Sequence, residues 1–157
     1  MPAAIIDVSE AAPHLPPRGA LLGLDIGTKT IGVATSDADR RLATGVETIF
    51  RKTFTLDAKR LLALAAERRC VGFVLGLPLN MDGSEGPRAQ SSRAYARNLA
   101  VLGLPILLWD ERWSTTDAER GLIAQDMSRA KRAERIDSAA AAVILQGAID
   151  ALAGGVL

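Results

Sequence analysis

Cysteine is nearly missing from this chain, and Cys70, standing alone among 157 residues, excludes any internal disulfide framework. Histidine is just as scarce, and His14 sits in a proline-rich lead-in where it carries no role. No apolar run is long enough to span a membrane. No charged and apolar signal segment opens the chain, which therefore reads as cytoplasmic, with no membrane partner. Charge of one sign is missing too. The formal net charge of +1 leaves nucleic acid open as a partner, because acidic site residues offset a local basic patch in the total. What is present is an ordinary globular mix, 48% hydrophobic and 24% charged, long enough for one domain with one sizeable core.

Within that mix, Asp25 occupies an awkward position. It interrupts the apolar run Leu21-Leu22-Gly23-Leu24-Asp25-Ile26, which is followed by the turn Gly27-Thr28-Lys29-Thr30 and a second run, Ile31-Gly32-Val33-Ala34. An unpaired ionised carboxylate in a buried strand costs several kcal/mol, so something must meet it. Two further acidic positions are its natural companions: Asp110-Glu111, at the end of Pro105-Ile106-Leu107-Leu108-Trp109, and Asp137, at the head of an alanine-rich helix. Carboxylates from three distant segments point to a shared cation. Each also has a plainer reading: Asp25 as a turn former for the hairpin, Asp137 as a charge on a helix dipole, Glu111 as the ion-pair partner of Arg112 or Arg88.

Periodicity supplies the frame. Residues 1–19 contain four prolines and no sustained period, and read as a flexible tail ahead of a folded domain at 20–157. Strands are expected at 20–26, 31–36 and 42–49, joined by short turns as an antiparallel meander. A helix at 55–69 follows, with Thr55 as its N-cap. The continuous apolar run at 71–78 predicts a strand covered on both faces and parallel to the first. A polar loop, a helix ending near Gly103 with Tyr95 and Leu99 on its inner face, and a strand at 105–109 come next. Ser114-Thr115-Thr116-Asp117 opens a third helix, with Thr116 and Glu119 spaced as a capping box. Residues 126–134 read as charged and mobile, and a last helix runs from about 135 to 153. The order βββαβαβαα gives a five-stranded mixed sheet with helices on both faces, an α/β ribonuclease H-like architecture. Its first strand lies beside the fourth, so Asp25, Leu77-Pro78 and Asp110-Glu111 share the carboxyl edge where ligands collect. The run Ala139-Ala140-Ala141-Ala142 lets the final helix approach the sheet closely and carries Asp137 to that edge.

Four motifs in this order carry a family resemblance: Gly23-Leu24-Asp25-Ile26-Gly27-Thr28-Lys29-Thr30, Gly76-Leu77-Pro78-Leu79-Asn80-Met81-Asp82-Gly83-Ser84, Asp110-Glu111-Arg112-Trp113-Ser114-Thr115, and Asp137-Ser138-Ala139-Ala140-Ala141. From about Gly19 to Ala151 the chain resembles the YqgF/RuvX family of Holliday-junction-resolvase-like nucleases. Thr30 and Trp113 depart from the family's usual Arg and Leu, and neither departure removes a carboxylate. The resemblance implies a metal-dependent nuclease that matures the 5′ end of pre-16S ribosomal RNA in ribosome biogenesis. Junction resolution in DNA recombination and repair is the alternative.

The chemistry agrees. Phosphodiester hydrolysis needs charge neutralisation and an activated water, and two hard cations supply both. Mg2+ or Mn2+ takes oxygen ligands, which makes Asp25, Glu111 and Asp137 the expected catalytic and metal-binding set, with Asp25 bridging. Strand alternation points Asp110 away from Glu111, leaving it either a capping carboxylate or a support for the site. Thr28, Lys29, Arg88, Arg93, Arg97, Arg112 and Arg132, together with Arg129, Lys131 and Arg135, are candidate contacts for a nucleic-acid backbone, though a solvated face is the plainer reading of each basic residue taken singly. Phe73, Tyr95 and Trp109 read as core. RNA is the favoured partner and branched DNA the second. A monomer or weak homodimer is expected, since no apolar surface helix is reserved for a two-fold partner. Two other classes stay open. The loop after Asp25 also resembles the first phosphate loop of sugar kinases and actin-like ATPases, which need two such domains, and an inert ribosome-assembly factor would keep the fold without the chemistry.

Overall fold

The computed structural model describes residues 3–113 and 129–154, with the backbone alone at Trp113 and through residues 129–137. Its strands are β1 (Ile5–Asp7), β2 (Ala20–Ile26), β3 (Thr30–Ser36), β4 (Ala43–Phe50), β5 (Cys70–Leu77) and β6 (Ile106–Asp110). Its helices are α1 (Phe54–Glu67), α2 (Pro87–Ala100) and α3 (Arg129–Gly154). The strands form one sheet in the order β1-β6-β5-β2-β3-β4. The meander β2-β3-β4 is antiparallel, while β5 joins β2, β6 joins β5 and β1 joins β6 in parallel. Gly27 N–H donates to the Thr30 carbonyl at 2.8 Å and closes the β2–β3 hairpin.

Alternation along the strands splits the core in two. Leu22, Leu24, Phe73, Leu75, Ile106 and Leu108 pack with Leu61, Leu64, Tyr95 and Leu99 of α1 and α2 on one face. Leu21, Val74 and Leu107 pack with Ile144, Leu145, Ala148 and Ile149 of α3 on the other. The alanine run does let α3 close in. A Cβ on Gly23 would lie 2.7 Å from Leu145 Cβ and 3.2 Å from the Ala141 carbonyl oxygen, so only glycine fits beneath this helix.

Three expectations change. The lead-in is not a loose tail throughout: β1 adds a sixth strand, and Val8 and Ala11 are 2% and 0% exposed in the α3-side core. Three residues of strand are too few to show a period, so pairing with β6 decides this segment. Thr53, not Thr55, caps α1, accepting the Leu56 N–H at 3.3 Å. The helix starts early enough to include Phe54, whose ring meets Tyr95 edge-on at 5.3 Å. Residues 129–134 belong to α3 instead of a mobile stretch, because Arg, Ala, Lys and Glu are strong helix formers however highly charged. The third helix expected from Ser114 lies outside the described residues.

Candidate active site

Asp25 is the penultimate residue of β2, half-buried where Leu21 to Leu24 are fully buried, so its carboxylate stands at the open carboxyl edge and not inside the core. It shares the α3 face with Leu21 and Gly23 by strand alternation. Both of its lateral neighbours on that face lack side chains. In β3 it is paired with Gly32. In β5 the register Leu24 to Leu75 carries forward to Gly76.

Glu111 approaches the same platform from β6. It follows Asp110 in a short 3-10 turn, and its side chain folds over Gly76: a Cβ placed there would be 2.9 Å from Glu111 Cδ and 3.0 Å from Cγ. Neighbouring strands are about 4.8 Å apart. Asp25 and Glu111 thus flank one bare glycine on one face of the sheet. α3 lies on this face as well, with Ser138 packed on Gly45 of β4, and the residue just before it is Asp137. The Asp137 side chain lies outside the described residues. Among the described side chains no group of three or more His, Cys, Asp or Glu comes together. Two carboxylates on one face of the sheet, one of them folded over Gly76, are nevertheless oxygen donors of the kind a hard cation takes.

Asp110 takes the opposite face, where it holds Arg112. Its carboxylate accepts the Arg112 backbone N–H at 2.9 Å and side-chain bonds from Nε and Nη2, the latter at 2.6 Å, while Arg112 Nη1 donates to the Met81 carbonyl at 3.2 Å. Partial burial pushes the Asp110 carboxyl upward, but the Arg112 hydrogen bonds and charge outweigh it and leave the group below its ordinary value. The pair ties the turn that carries Glu111 to the β5–α2 loop.

The candidate backbone contacts are scattered. Thr28 and Lys29 are exposed at the tip of the β2–β3 hairpin. Arg93 is engaged by Glu85 at 2.7 Å, and Arg97 is exposed in the last turn of α2. Arg88 lines a cleft of about 360 Å³ with Ile26, Gly27, Thr28, Arg51, Ser91, Ser92 and Tyr95. The side chains of Arg129, Lys131, Arg132 and Arg135 lie outside the described residues. Arg51 and the two serines had no marker in the spacing of the sequence. Arg51 follows a strand and the serines sit mid-helix, and only the folding of α2 against the hairpin brings them together.

A family model described as RuvX, Holliday junction resolvase, matches residues 19–151. This chain belongs to that family. A relative from Rhodopseudomonas palustris strain TIE-1 is 73% identical over 154 residues, covering 98% of this chain and 96% of its own. Relatives from Nitrobacter hamburgensis and Bradyrhizobium diazoefficiens are each 71% identical, covering 98% of this chain and 94% and 96% of theirs. All three carry the provisional name pre-16S rRNA nuclease. Among solved structures, Thermus thermophilus RuvC aligns over 87% of this chain and 97% of its own with a TM-score of 0.55 at 11% identity. T. thermophilus RuvC in complex with a Holliday junction substrate aligns over the same shares with 0.50 at 12%. At that identity the likeness is one of fold, the ribonuclease H-like sheet. For a RuvX-family member the phosphate-loop resemblance to two-domain ATPases loses its weight, since the family match runs through all four motifs.

Proposed function

We propose that this protein is a metal-dependent nuclease that hydrolyses RNA phosphodiesters, and that its substrate is the 5′ end of the 16S rRNA precursor. The observation that supports this most directly is the placement of Asp25 and Glu111 on either side of Gly76, on the face covered by α3. Family membership supports a nuclease, and the names of the relatives support the ribosomal precursor.

Asp25, Glu111 and Asp137 are the residues that would hold Mg2+ or Mn2+, whose chemistry is to neutralise the scissile phosphate and lower the pKa of a bound water. The chain's own contribution is positioning. Asp25 is held by its pairing with Gly32 of β3, one residue past the last β2–β5 pair at Leu24, so its backbone is positioned in advance. Glu111 is fixed through its two neighbours, which hydrogen-bond each other across it. Gly76 leaves room for the Glu111 side chain to fold across β5, and the hairpin at Thr28 and Lys29 offers amides and an ammonium to a phosphate.

The test is incubation of the purified protein with a labelled pre-16S fragment, single-stranded RNA and a four-way DNA junction, with Mg2+, Mn2+ or chelator. Cleavage of the ribosomal fragment only with metal, abolished in Asp25→Asn while circular dichroism and melting stay native, is the expected result. Because Asn keeps the volume of a half-buried side chain at the open edge, stability should stay close to wild type. The family description favours a second reading, junction resolution. Paired symmetric cuts in the junction with both RNAs intact would establish that reading in place of the first.

A further inference from the structure

The cleft beside Arg88 lies across the sheet edge from the carboxylates and has its own chemistry. Its lining residues include two arginines, Arg51 and Arg88, the hydroxyl-bearing Thr28, Ser91, Ser92 and Tyr95, and no aspartate or glutamate. It opens at the N-terminus of α2, a fourteen-residue helix whose first turn has Pro87 and no side-chain cap, so amide hydrogens there face outward with the positive end of the helix dipole. Arg88 makes no ion pair among the described residues. Arg51 bridges the walls: Nη1 donates to the Gly27 carbonyl at 2.6 Å, and its Cζ stands 5.3 Å from the centre of the Tyr95 ring. The bond to Gly27 uses one of five donors. Tyr95 itself is 5% exposed, and its buried hydroxyl has no hydrogen-bond partner among the described residues. A buried hydroxyl left without a partner is uncommon enough to require a reason. Burial first, and the nearby Asp57 carboxylate second, push its pKa up to about 12, so the hydroxyl keeps its proton and has it to donate to an incoming acceptor.

We infer that this cleft is a second anion site that binds a phosphate of the nucleic acid, held by Arg51, Arg88 and the first turn of α2, with Arg51 swinging off the Tyr95 ring so that the hydroxyl gains its acceptor. The inference rests on the nucleic-acid reading above. Thr28, in the cleft wall, is three residues past Asp25, which bounds the separation of their α carbons at about 10 Å. A strand placed on the carboxylates would reach the cleft by passing round the carboxyl edge of the sheet. The site would set register along the backbone without reading bases.

Tyr95 is the one tyrosine in the chain, so 3-fluorotyrosine incorporation gives a single 19F resonance inside the cleft. That resonance is followed in full-length Asp25→Asn protein, without metal, during titration with inorganic phosphate, a nucleoside 5′-monophosphate, and a short RNA carrying either a 5′-phosphate or a 5′-hydroxyl. The expected result is a saturable shift with both RNAs, weakened at least tenfold in Arg88→Gln and in Arg51→Gln, each with unchanged melting. A shift with the monophosphate and the 5′-phosphorylated RNA alone assigns the site to strand ends and overturns the backbone-register role. An unmoved resonance with every probe, while the RNAs still bind by fluorescence anisotropy, overturns the site itself. Because metal and cleavage are absent from this measurement, it can fail while the proposed nuclease stands, and the reverse.

Discussion

Gly76→Ala tests whether Glu111 depends on the bare floor beneath it. The new methyl would lie 2.9 Å from Glu111 Cδ and 2.8 Å from Ile144 Cδ1, both well inside van der Waals contact. Ordinary contact requires each neighbour to retreat by about half an ångström or more. Overpacking of this kind costs about 1–3 kcal/mol, partly offset by about 0.5–1 kcal/mol of backbone entropy that alanine recovers in a strand. A modest loss of stability is expected. Activity should suffer more, since a misplacement of about 1 Å in a positioned group costs on the order of 100-fold, and half of that displacement predicts roughly tenfold. Adding Ile144→Val separates the two contacts, because it removes the Cδ1 methyl and leaves the Glu111 clash. Chemical denaturation and single-turnover cleavage are measured on both singles and the double. The double variant should regain stability relative to Gly76→Ala without regaining rate. Full recovery of rate in the double, or a wild-type rate in Gly76→Ala, would refute the placement of Glu111 as a working ligand.

Divalent metal should stabilise the fold as well as permit cleavage: at a hundredfold excess over Kd the gain is about 2.7 kcal/mol, or roughly 5–10 °C in Tm for a domain of this size, read by calorimetry with and without chelator and absent in Asp25→Asn. Wild-type protein showing no metal-dependent shift would count against the site. Glu47 of the edge strand β4 accepts two bonds from Arg60 of α1, at 2.8 and 2.6 Å, and those bonds outweigh burial to hold its pKa below the ordinary value. A depressed carboxyl stabilises above its unfolded-state pKa of about 4.3 and loses that contribution as pH falls through the folded value, so the wild-type advantage over Glu47→Gln should be flat from neutral pH down to about pH 5 and shrink below it. An advantage that persists unchanged into strongly acidic solution would place the effect in packing instead of charge.

The sequence by itself determined the strand order of the meander and the parallel units, because apolar runs and turn residues carry their periods locally, and β2 through β6 lie within a residue or two of the expected bounds. It also singled out Asp25 as a carboxylate in an apolar run, while the tertiary structure decided that this residue stands half-buried at the open edge. Alternation alone turned Asp110 away from Glu111, as the Arg112 pair bears out geometrically. Other features belong to the tertiary structure. The short β1 exists through pairing with β6 and the burial of Val8, neither of which leaves a period in three residues. Gly76 becomes the seat of the Glu111 side chain only once β6 lies beside β5, because a glycine's role depends on what approaches it. Arg51 and Tyr95 stand 44 residues apart in the chain and face each other across one cleft through the docking of α2 on the hairpin side of the sheet, a contact to which neither residue's neighbours in sequence point.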